Sequence, residues 1–357
     1  MNPEEFFSPD YETARSRFRE AAAAAGAALH AIALQATGPR GEALAIDIAW
    51  LGAAEPRRVM LHTSGLHGVE AYTGSAVQLA LLDSHLTPGA DDALVLVHVL
   101  NPYGMAWLRR ANENNVDLNR NFLVDGERWA GAPRLYRALD PLLNPPSPPA
   151  RDGFAVRAAA LAVRHGFQRV KQAVAEGQYE FPRGLFFGGR ELEPGPRLFS
   201  EWLRRHLSRA VYLLALDLHT GLGRRGHDTV IAEPGVGATP PAKLGAALGR
   251  RFHDPARTGV AYTVRGGLGA ALPRLLPHVR IDFVLQEIGT YPPLRVMHAL
   301  REENRWHFFG EGGIAHPAKQ RLREALCPAA PAWRRRSVAL GAELARAGAR
   351  WTFTQAL

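Results

Sequence analysis

Apolar residues alternate with polar or small ones through ALHAIALQA (28–36) and ALAIDIAWLG (43–52). That period of two predicts strands with one face buried. Later runs are apolar almost throughout: RRVMLHTSG (57–65), ALVLVHVLN (93–101), AVYLLALDLHTG (210–221) and RIDFVLQEIGT (280–290), with DTVIAEPG (228–235) as a shorter strand. Such runs fit strands covered on both faces, as in a parallel sheet between helices. Helical patterning predicts helices over 10–26, 71–82, 153–176, 196–207, 240–252, 294–306, 311–325 and 331–348. A strand, a polar turn, a helix and another strand make a βαβ unit. The expected fold class is therefore α/β: a single three-layer domain over 1–357, with a twisted, mostly parallel or mixed sheet between helices. Residues 1–40 would supply an N-terminal helix and lead-in strand, and 328–357 a C-terminal helical extension. The proline-rich LDPLLNPPSPPARDG (139–153) reads as a loop inside this domain, because strands of the same character resume after it.

In open α/β sheets, ligands bind on the loops that leave the carboxyl ends of strands. Polar clusters fall at those places. His67 and Glu70 follow one strand in HTSGLHGVEAYTGSAVQ (62–78), Asn101-Pro102-Tyr103-Gly104 follows the next, and His219 and Glu287 close two more. By itself His67-x-x-Glu70 is weak evidence of a metal site, since 14 histidines and 34 acidic residues produce such pairs by chance. Taken alone, the pair is better explained by a solvated turn with its glutamate near a helix N-terminus. His219 strengthens the metal reading, because His/Glu/His is a ligand set that leaves zinc an open position. Asp217, two residues earlier on the same strand face, suits a hydrogen bond to that histidine. His62 reads as a strand histidine. The segment VLNPYGMAWLRRANENNVDLNRNF (99–122) mixes amides and guanidinium groups with apolar anchors. It is either an anion-recognition loop or an irregular turn tied down by asparagines.

Composition narrows the class. The chain is 46% hydrophobic and 22% charged, as in ordinary globular proteins. One cysteine, Cys327, excludes an internal disulfide framework and a cysteine-based zinc site, and suits a reducing compartment. The net charge of +9 comes from 3 lysines and 40 arginines, the latter scattered in pairs with one longer run, WRRRS (333–337), and not gathered into one patch. No nucleic-acid partner is expected from that pattern. Neither a signal peptide nor a stretch of about eighteen apolar residues is read, so the expectation is a cytoplasmic protein with no membrane partner. GLGRRG (221–226) fits a glycine-rich fingerprint in form, but a strand follows where a dinucleotide site needs a helix. Serine-hydrolase elbows and P-loops are absent from the sequence.

Taken in order, His67-x-x-Glu70, Asn101-Pro102-x-Gly104, an arginine, Asp117-Leu118-Asn119-Arg120-Asn121, His219 and Glu287 in QEIGT resemble the zinc carboxypeptidase family. The likeness is to the carboxypeptidase A type, and more narrowly to a bacterial branch known only as a domain of unknown function; it runs from about 58 to 291. The resemblance implies a zinc ion held by His67, Glu70 and His219, with Glu287 as general base for the zinc-bound water. It implies that Asn119 and Arg120 clamp a substrate carboxylate. An upstream arginine, Arg110 or its neighbour Arg109, would steady the oxyanion or bind substrate. Tyr262, followed by Gly266 and Gly267, matches the family's mobile-loop tyrosine, though a packing tyrosine fits as well. Tyr103 replaces the family's acidic residue in the Asn-Pro-x-Gly motif, and the pocket that reads the substrate side chain has no recognisable counterpart. The activity implied is hydrolysis of a peptide or amide bond next to a free carboxylate, on a small peptide or acyl-amino-acid substrate. The alternatives are an N-acyl amino acid deacylase of the desuccinylase or aspartoacylase kind, or a binding protein on a degenerate hydrolase scaffold.

Overall fold

The structure, a computed structural model, describes residues 3–84, 86–123, 126–253 and 264–356. Its strands are β1 (Ala28–Thr37), β2 (Ala43–Gly52), β3 (Arg58–Ser64), β4 (Asp92–His98), β5 (Tyr212–Thr220), β6 (Asp228–Gly237), β7 (Phe252–His253) and β8 (Arg280–Ile288). They form one sheet in the order β1-β2-β4-β3-β5-β8-β6-β7. The four central strands β4-β3-β5-β8 are parallel to one another. β2 joins β4, and β6 joins β8, antiparallel. The sheet is thus mixed, and its parallel centre is made of the near-continuous apolar runs.

Alternation along each strand divides the core into two layers. On one face Met60, Leu214, Leu216 and Ile288 pack with Phe18 of helix Tyr11–Ala24, Val77 of helix Ala71–Leu82 and Leu344 of helix Pro331–Phe353. On the other, Leu61, Ala215 and Phe283 meet Phe199 of helix Pro194–His206 and Leu272 of helix Leu268–Leu275. Each fully buried leucine stabilises these layers by roughly 1.5–3 kcal/mol. Helix Pro331–Phe353 packs closely on helix Ala71–Leu82 because Gly341 has no side chain: a Cβ there would lie 2.6 Å from Val77 Cγ2. Gly74 lets helix Ala71–Leu82 in turn approach the sheet, where a Cβ would lie 2.3 Å from that of Ser64. A third, smaller cluster sits beyond the carboxyl edge and joins Leu139 and Leu143 to Val174, Phe186, Leu300 and Leu322.

Several elements depart from the sequence expectation for local reasons. The helix expected over 153–176 is two helices, Phe154–His165 and Phe167–Ala175, because Gly166 between them takes a positive φ of 84°. The helix expected from 311 starts at Pro317, whose fixed φ suits the first helical position. The proline-rich loop begins later than its composition predicts. Helix Arg134–Leu143 runs through Pro141, held by the buried Leu139, Leu142 and Leu143. Among the described residues, no helix is long and apolar enough to cross a membrane.

Candidate metal centre

β3 ends at Ser64, and the chain then makes a tight 3-10 turn over Gly68–Glu70, with His67 just before it. Two sequence motifs hold this turn. Gly68 lies against the Asn-Pro-x-Gly segment so closely that a Cβ would come within 2.2 Å of Gly104 Cα. The backbone N–H groups of Gly68 and Val69 donate to the carbonyls of Arg110 and Arg109 at 3.2 and 2.8 Å. Asn101 in turn accepts from Gly104 N at 2.8 Å and donates to the Arg110 carbonyl at 3.1 Å. The amides and glycines of the 99–122 segment therefore build the platform under His67 and Glu70. The parallel register of β5 and β8 sets His219 beside Glu287, and that of β3 and β5 sets Thr63 beside Asp217.

His67, Glu70 and His219 are all buried, and each offers a ligand atom within 4.8 Å of the others. His67 Nδ1 and His219 Nδ1 face each other at 3.0 Å, with Glu70 Oε1 3.1 Å from the first and Oε2 3.5 Å from the second. The far ring nitrogens face carboxylates. His219 Nε2 lies 2.7 Å from Asp217 Oδ2, and His67 Nε2 lies 3.2 Å from Asp117 Oδ1. Thr63 donates its hydroxyl to Asp217 at 2.7 Å, which holds that carboxylate in place. With its Nε2 proton given to Asp217, His219 turns Nδ1 toward His67 Nδ1 and the Glu70 carboxylate, so two ring nitrogens and a carboxylate converge on one point. Two imidazole nitrogens and a carboxylate oxygen so placed are a donor set that fits a divalent metal of the zinc type.

The electrostatics agree. Burial alone would raise the pKa of Glu70, yet the neighbouring His67 and His219 hold it well below its ordinary value. Burial works the same way on Asp117 and is overcome by Arg110, Arg120 and His67. His219 is held well above its ordinary value against the cost of burial, by Asp217 and Glu70. Glu287 goes the other way. Burial, assisted by Glu70 and opposed by His219 and Arg110, pushes it up to about 7. A cation between the three ligands would draw it back down.

Arg110 lies at this centre: Nη1 donates to Glu70 Oε1 at 3.3 Å, Nε to Asp117 Oδ2 at 2.9 Å, and Nη2 is 2.6 Å from His67 Nε2. Arg109, expected as its alternative, turns away. It is 1% exposed, pairs with Glu303 at 3.0 Å and donates to Asn115 at 2.7 Å, so its hydrogen bonds serve the interior. Arg120, expected with Asn119 in a carboxylate clamp, is likewise held inside. Its side chain is 0% exposed and is engaged by Asp117 at 3.2 Å and by the Ala175 carbonyl. Its position helps to fix Asp117. Asn119 is partly buried beside it. Tyr262 lies outside the described residues. Gly266, expected to free a loop, is packed instead: its φ is +73°, and a Cβ would lie 2.5 Å from the Arg120 carbonyl oxygen.

Sequence reasoning missed two residues. Phe186 stacks under both arginines, its ring centroid 5.1 Å from Arg110 Cζ and 5.3 Å from that of Arg120. It adopts a positive φ of 58°, costly for a bulky residue and invisible in composition or periodicity. Lys171 reaches the neighbourhood of Glu287 from helix Phe167–Ala175, where burial lowers its pKa and Glu287 opposes the shift. Nothing in its helical pattern sets it apart.

Residues 7–339 match the model of a family described as protein of unknown function, DUF2817. No curated protein matches the sequence. Solved structures similar to this chain include bovine thrombin-activatable fibrinolysis inhibitor in complex with tick carboxypeptidase inhibitor, at 12% identity, with 96% of this chain and 97% of that one covered and a TM-score of 0.47. Another is carboxypeptidase A from Helicoverpa armigera, at 15% identity, 90% and 74% coverage and a TM-score of 0.45. A third is murein-tripeptide amidase from Escherichia coli O157, at 16% identity, 77% and 91% coverage and a TM-score of 0.38.

Proposed function

The chain belongs to the family described as protein of unknown function DUF2817, and we propose that it is a zinc-dependent hydrolase of a peptide or amide bond next to a free carboxylate. The observation that carries this reading is the meeting of His67 Nδ1, His219 Nδ1 and Glu70 within 4.8 Å, one strand from Glu287.

His67, Glu70 and His219 would hold the metal, which when bound supplies an acidified water and a Lewis acid for the scissile carbonyl. Glu287 is placed to take the proton of the attacking water and return it to the leaving amine, a role that needs a carboxylate with a pKa near the working range. Leu222 N–H, 3.4 Å from Glu287 Oε2, helps to orient it. Arg110 reaches into the same space with a fixed positive charge, suited to a developing oxyanion. Arg120 acts behind it, through Asp117. The substrate carboxylate would be met by Asn119.

Both a C-terminal peptide bond and the amide of an N-acyl amino acid meet this description. Metal analysis of the purified protein should find about one zinc per chain, and His67→Ala should lose it. Retention of stoichiometric zinc by that variant would overturn the ligand assignment. Parallel panels of dipeptides and N-acyl amino acids then separate peptidase from deacylase.

A further inference from the structure

A cavity of about 320 Å³ opens beside Glu287 and Arg110. It is enclosed by helices Phe154–His165 and Phe167–Ala175 on one side, and by helices Arg134–Leu143 and Pro293–Phe309 on the other. Its walls are aliphatic or aromatic apart from Arg110, Lys171, Thr220 and Glu287. Phe167 and Leu294 line it too, and at 51% and 42% exposure they mark where it meets solvent. The space therefore runs from solvent to the two groups assigned above to proton transfer and oxyanion binding. Its volume falls at the lower end of the roughly 300–1,000 Å³ typical of small-molecule sites.

We propose that this cavity holds the acyl half of the substrate, and that the substrate is an N-acyl amino acid with an apolar acyl chain. This rests on the hydrolase reading above. A substrate of that class has two ends of opposite character. The amino-acid half carries a carboxylate, which is costly to bury unless it is paired, and the two cations in these walls, Arg110 and Lys171, already face Glu287. The acyl half carries no charge and gains by leaving water. Asn119, assigned above to the substrate carboxylate, does not line the cavity. The amino-acid half is thereby left to the polar side of the metal centre, and the acyl chain to the apolar side.

The test uses zinc-loaded full-length protein and N-acyl amino acids with saturated chains of two to ten carbons. The proposal expects kcat/KM to rise about fourfold for each added methylene until the cavity is full. Ala162→Phe puts a ring into the cavity and should collapse the ratio of octanoyl to acetyl turnover by roughly tenfold or more. Ala158→Phe, one helical turn earlier on the same wall, is a second variant in case the first misfolds. Octanoate titrated calorimetrically into metal-free protein should bind, acetate should not, and either variant should weaken octanoate. Rates indifferent to chain length, or octanoate binding indifferent to both variants, would overturn the cavity assignment and leave the hydrolase reading standing. If zinc-loaded protein cleaves no amide, the hydrolase reading and the proposed substrate fall together, and the titration still decides whether the cavity takes an apolar chain.

Discussion

His219 donates its Nε2 proton to Asp217 Oδ2 across 2.7 Å, from a position two residues along the same face of β5. The strand's own period creates this pair, and it decides which ring nitrogen remains to bind metal. Asp217→Asn keeps the shape but weakens the acceptor and loosens the tautomer. Zinc affinity should fall about 10–100-fold, as measured by competition with a chromophoric chelator. An unchanged affinity would leave Asp217 as a packing residue held by Thr63.

Glu287 touches none of the three proposed ligands by hydrogen bond, so metal binding and proton transfer can be separated. Glu287→Gln should retain about one zinc per chain while turnover falls on the order of 10²–10⁴-fold. The acid limb of the pH–rate profile should disappear with it, because the group whose deprotonation enables the reaction has gone. Turnover near the wild-type value would remove Glu287 as the base.

Much of this centre could be read from order along the chain. Strand ends are visible as the places where apolar runs stop at His, Asp or Glu, and a parallel sheet brings those ends together. That His67, Glu70, His219 and Glu287 gather at one edge of the sheet was legible for that reason, while the roles proposed for them came only with the family resemblance. What side chains do after leaving the backbone was not. Arg109 and Arg110 are neighbours of one chemical type, and only the turn held by Asn101 sends one inward to Glu303 and the other to Glu70. The cavity was equally hidden, since it is assembled from helices far apart in the chain, two of them created by the break at Gly166.

Those two arginines give opposite predictions. Arg110→Met should lower kcat/KM by about 10²–10³-fold, as loss of an oxyanion donor does. Arg109→Met should leave the metal content alone and destabilise the fold, because it strips Glu303 of one of two buried cations. Breaking a buried pair costs about 3–5 kcal/mol, and the cost here should lie at the low end because Lys319 still reaches Glu303 at 2.6 Å. Urea unfolding and steady-state kinetics on both variants read the contrast. A catalytic defect in Arg109→Met at full stability would reverse the assignment.

Away from the metal centre, two buried strand histidines should make the protein sensitive to mild acid. Burial lowers the pKa of His62 to about 4 from an ordinary 6.5, with Asp217 pulling the other way. Burial lowers that of His98 to about 4 as well, opposed by Asp47. His98 stacks on Phe18 at 4.5 Å, and its Nδ1 has no hydrogen-bond partner, so the neutral ring is the one that fits. The folded-state values lie below the unfolded ones, so unfolding takes up protons. The stabilisation is whole above about pH 6.5 and is lost progressively down to about pH 4. Glu287 in metal-free protein opposes this: its raised pKa adds stability that is fully present below about pH 4.5 and is lost as the pH rises to about 7. Comparing wild type with His98→Phe cancels that contribution and isolates one histidine. Between pH 7 and pH 5 the variant should gain roughly 2 kcal/mol on wild type, from about 1.5 pH units at roughly 1.4 kcal/mol each. Denaturant unfolding of metal-free protein at the two pH values measures it, and parallel pH dependences would show that His98 is not buried in its neutral form.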